Sequence, residues 1–229
     1  MKGNDVDKSI KNAFDYILQV YKETSFFLQD LEKELVNYNF YCINESNQTG
    51  TNFSHLLSNP NLWLTRYLTR FWLPKQVAGN WKGRKILYLS GSVIFISNDQ
   101  GREPLFTYGV FQTMDSDAAC FQFDWHLKVL QNEGGYFSYI RNGEKGLLNE
   151  VPPDRKPALF KCKLLDESYA WPKQGVIVVL PLTSIGDSKG ISLLAKEMKD
   201  LWEERNAFCN FNIKSATKYN FVTETLIII

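Results

Sequence analysis

The chain has 229 residues, 44% apolar and 14% aromatic, which excludes a disordered polymer and suffices for one sizeable core. Its 26 basic and 25 acidic residues nearly cancel, so net charge argues neither for nor against a polyanionic partner. No stretch reaches the roughly 20 apolar residues that span a bilayer, and Met1–Asp7 is too polar to open a secretory leader.

The first element is a long helix. No Gly or Pro occurs from Asn4 to Thr49, and Ile10, Phe14, Ile17, Tyr21, Thr24, Leu28, Leu31 and Leu35 recur at alternating spacings of four and three. A helix over about residues 6–36, started by Asp5 or Asp7, carries that seam on one face. At roughly 45 Å it is longer than a small domain needs. It either lies across a sheet and overhangs it, or pairs with a second copy.

Asn37–Ile43 alternates weakly and reads as a first strand. Three glycosylation-type triplets crowd Asn44–Ser54, which reads as an exposed polar loop. Asn59-Pro60 is a helix start, and the pattern Leu62–Leu73 predicts a helix ended by Pro74. Ile86–Leu89 and Val93–Ser97, separated by Ser90-Gly91-Ser92, predict a hairpin. After the turn Asn98–Gly101, Leu105–Met114 reads as a strand, Asp115–Ala119 as a loop and Trp125–Leu130 as a helical stretch. Tyr136–Ile140 ends at the Asn142-Gly143 turn. Pro152, Pro153 and Pro157 make 149–157 a rigid loop and the best internal boundary. Leu159–Leu165 and Val176–Leu180 read as strands, Ile191–Trp202 as an amphipathic helix, and Phe208–Ile213 and Tyr219–Thr223 as closing strands, with Leu226–Ile229 packed. The sum is a single α+β domain: a mostly antiparallel sheet of about six to eight strands, a long N-terminal helix and a C-terminal amphipathic helix.

Catalytic patterns are absent from the sequence. With two histidines, His55 and His126, and no Cys-x-x-Cys or His-Glu-x-x-His, no metal or cofactor is expected. Cys42, Cys120, Cys162 and Cys209 are widely spaced, the pattern of separate thiols in a reducing cytoplasm. Cys120, Asp124 and His126 are the residue types of a thiol site, within a segment that otherwise reads as core. Asp154, Asp166 and Glu167, or Asp115 and Asp117, supply acids for a nuclease, but Tyr169 stands where the common Glu-x-Lys pattern has its lysine. The loop Thr183–Gly190 lies between a buried strand and a helix start. It lacks phosphate-loop spacing, and Asp187 suits the helix cap.

One stretch stands apart. Ser46–Asn98 contains no acid but holds Arg66, Arg70, Lys75, Lys82, Arg84, Lys85 and three tryptophans, leaving the remainder of the chain at about −5. Arg66, Arg70, Trp81, Lys82, Arg84 and Lys85 are candidate ligands for an anion, a nucleic acid or a nucleotide, through guanidinium–phosphate pairing and base stacking. The alternative is that the two arginines pair with acids of the long N-terminal helix and the tryptophans are core. The sequence therefore predicts a cytoplasmic binding or regulatory protein, not a membrane protein and not obviously an enzyme. Its alternatives are a protein-interaction or homo-oligomeric component using residues 6–36, or a hydrolase with dispersed acids.

Overall fold

The computed structural model describes residues 3–43, 67–75, 87–95, 103–113, 137–141, 144–147, 153–162 and 172–208. The long helix is present as α1 (Gly3–Asn37), 35 residues and about 52 Å. It ends at Asn39, which adopts φ 64°, while Tyr38 and Asn39 donate their amides back to Leu35 and Val36. Asn tolerates this left-handed conformation and turns the chain where no glycine is available. A short strand β1 (Phe40–Cys42) follows.

The remaining strands are β2 (Tyr67–Pro74), β3 (Leu87–Ile94), β4 (Leu105–Thr113), β5 (Phe137–Arg141), β6 (Glu144–Leu147), β7 (Ala158–Cys162) and β8 (Pro172–Pro181). A 3-10 turn (Leu182–Ser184) then leads to helix α2 (Ser188–Phe208). The eight described strands form one sheet in the order β1-β2-β3-β4-β8-β7-β5-β6. Every neighbouring pair is antiparallel, so the α+β expectation holds. The expected closing strands, the packed tail and the helical stretch at Trp125–Leu130 lie outside the described residues, apart from Phe208, which ends α2.

Two expectations are corrected. The segment 67–73 is a strand, not the end of a helix. Both of its faces are occupied: Leu68, Arg70 and Trp72 face the helices, while Tyr67, Thr69, Phe71 and Leu73 face the other way, and all are buried except the half-buried Leu68. A strand buried on both faces loses its alternation, and the repeated Leu-Thr-Arg at 64–66 and 68–70 imitates helical spacing. The β-branched Thr69 decides the matter locally, its hydroxyl meeting that of Ser92 across the strand pair at 2.7 Å.

The second correction concerns Ser90-Gly91-Ser92, which is the middle of one strand and not a turn. Ser90 opposes Phe71 on one side and Gly109 on the other. Gly91 is needed for approach, not for turning: a Cβ there would stand 2.8 Å from the Phe106 ring and 3.2 Å from Trp72. The two serines are satisfied internally, Ser90 Oγ donating to the Arg70 carbonyl at 3.0 Å.

Both helices pack on one face of the sheet. Leu28, Leu31 and Leu35 of α1 and Leu194, Met198 and Trp202 of α2 join Trp72, Leu89, Phe106, Val110, Val176 and Val178 in one core. The opposite face is also closed to solvent. An aromatic row crosses it from Phe71 to Tyr88 to Phe111 to Phe160, with ring centroids 5.4, 5.8 and 5.4 Å apart. Phe111 and Phe160 flank Gly175 of β8, where a Cβ would come within 2.9 Å of the Phe160 ring. Gly175 therefore lets the rings of two strands meet across a third.

Candidate interaction surface

Of the six residues singled out for anion binding, the structure describes one. Arg66, Trp81, Lys82, Arg84 and Lys85 lie outside the described residues. Arg70 sits in β2 on the helix-facing side, its side chain only 7% exposed, with Nη2 donating to Glu32 Oε2 of α1 at 2.5 Å. This is the internal pairing that the acid-free stretch and the acidic helix allow. Arg70 is the only charged residue among the buried described ones. It lines a groove of about 520 Å³ between α1 and β2, together with Leu28, Glu32, Lys33, Val36 and Leu68. Lys33 at the rim is bridged to Asp30 at 2.7 Å, so the described charges of this groove are paired.

The other chemical candidates fare as follows. Cys120, Asp124, His126, His55, Asp115, Asp117, Asp166 and Glu167 lie outside the described residues. Asp154 accepts from the amide of Lys156 at 3.1 Å, within a local turn. Asp187 caps α2: its Oδ1 accepts from Gly190 N at 3.0 Å, so the positive helix end is met by the chain's own carboxylate. Among the described residues no group of three His, Cys, Asp or Glu is placed to hold a metal ion. No described helix is long and apolar enough to cross a membrane.

A polar cluster not singled out by sequence joins the sheet to α2. Arg155, at φ 62°, donates its backbone amide to the Val179 carbonyl, and its guanidinium reaches Glu197 Oε1 at 3.5 Å and the Ser184 carbonyl at 3.2 Å. The Tyr108 hydroxyl donates to Glu197 Oε2 at 3.3 Å. Burial, followed by the charge and hydrogen bond of Glu197, holds the Tyr108 phenol protonated well above its ordinary range, with Arg155 opposing. The cluster fastens the 153–157 segment to α2. A phenol held this firmly in its neutral form is poorly suited to accept or release a proton.

Among the described residues, the most exposed apolar surface lies elsewhere, on α1. Every residue from Asp7 to Tyr16 is exposed. Ile10, Phe14 and Leu18, at 52%, 61% and 63% exposure, form a stripe at four-residue spacing. The same seam closes further along. Tyr21 meets the Phe95 ring edge-on at 5.4 Å, Phe27 meets Phe106 at 5.2 Å, and Thr24, Leu28, Leu31 and Leu35 are buried. The part of α1 that is exposed throughout, residues 7–16, is about 15 Å of helix.

The chain matches no protein-family model, and comparison with curated proteins and with solved structures finds no significant match.

Proposed function

We propose that the protein is an interaction component that docks through the projecting half of α1. The observation that carries this reading is the stripe Ile10–Phe14–Leu18. A helix needing only to cover its own sheet would turn polar where the sheet ends, yet this seam stays apolar through Ile17, Phe14 and Ile10, up to Asp7. Contiguous exposed apolar surface of this kind marks association sites, and an amphipathic helix offers anchors at i, i+4 and i+8 to a groove or another helix. The four widely spaced cysteines favour a cytoplasmic setting. The reading requires the stripe to be open in the isolated chain. In hydroxyl-radical footprinting at low micromolar concentration, Phe14 should react as an exposed residue and Leu31 should be protected. Protection of Phe14 in the monomer would mean that the chain covers its own stripe, and the reading would fail.

A second reading rests on the acid-free composition of Ser46–Asn98. In it Arg66, Trp81, Lys82, Arg84 and Lys85 take an anionic ligand, nucleic acid or nucleotide, without Arg70, which is committed to Glu32. Tryptophan fluorescence should then respond to a single-stranded oligonucleotide at low salt and lose the response as salt rises. Silence at low salt removes it.

A further inference from the structure

We draw no further inference here: the strongest candidate, the exposed apolar stripe Ile10–Phe14–Leu18 on α1, belongs to the surface already proposed for docking, and nothing in the structure shows what covers it.

Discussion

Arg70 and Glu32 illustrate how much a single pair can carry. The guanidinium is nearly removed from water, whereas the Glu32 side chain keeps 28% exposure. Removing the anion leaves a buried cation with one strong acceptor fewer, which costs more than the pair is worth when intact. Glu32→Gln is therefore expected to destabilise the fold by about 2–3 kcal/mol, less than a fully buried pair because part of the carboxylate is already hydrated. Arg70→Met combined with Glu32→Gln should recover much of that loss in urea unfolding, since Met fills the aliphatic path and leaves no charge behind. If the double variant is as unstable as Glu32→Gln, the penalty comes from lost packing and not from the orphaned charge. The sequence showed both partners, an arginine in an acid-free stretch and an acid on a helix face. It could not show that they meet, because their contact depends on register over 38 residues of separation.

At the scale of elements, legibility followed periodicity. α1 and α2 were readable because helices polar on one side and apolar on the other repeat near 3.6 residues. β4 and β8 were readable as β-rich runs bounded by turn residues. β2 was misread because burial on both faces erases the period-two signal, and β3 because a Ser-Gly-Ser triplet has turn composition wherever it stands. Its actual role is spatial. Ser90 and Ser92 bond across the sheet, and Gly91 gives way to Phe106 and Trp72, rings contributed by both neighbouring strands. Gly109 belongs to the same logic, since a Cβ there would meet the Val176 carbonyl at 2.2 Å. No local window contains the neighbours that these glycines accommodate. The candidate ligand residues were legible only as composition. The projecting stripe was legible as a seam, though not how much of it the sheet would cover.

For the molecule as a whole, the two faces of the sheet each bury a phenol. Tyr88 lies in the aromatic row, and burial pushes its pKa well above the ordinary value of 10.0. Tyr108 lies under α2 and is raised by burial first and by Glu197 second. A folded pKa above the unfolded one means that the stabilisation is complete below about pH 10 and is lost as pH rises beyond it. Each phenol should steepen the fall by about 1.4 kcal/mol per pH unit above that point. Alkaline unfolding followed by tryptophan fluorescence should show the break near pH 10, and Tyr88→Phe should remove one proton's worth of slope. A stability flat to pH 11.5 (about one and a half units past the ordinary value) would show that both phenols ionise without unfolding.

The strand order has a consequence for the chain while it is being made. β8 is the last strand in sequence among those described, yet it sits between β4 and β7. Until residues 172–181 leave the ribosome, β4 offers an unpaired row of amides and carbonyls beside Leu105, Phe106 and Phe111. At bacterial or eukaryotic elongation rates the intervening residues take roughly 3–12 s to synthesise. Throughout that interval the nascent protein carries an open, apolar strand edge of the kind that recruits other chains. A pause upstream of Pro172 is therefore expected to lengthen the exposure and lower the soluble yield, and a chaperone that shields β4 to shorten it.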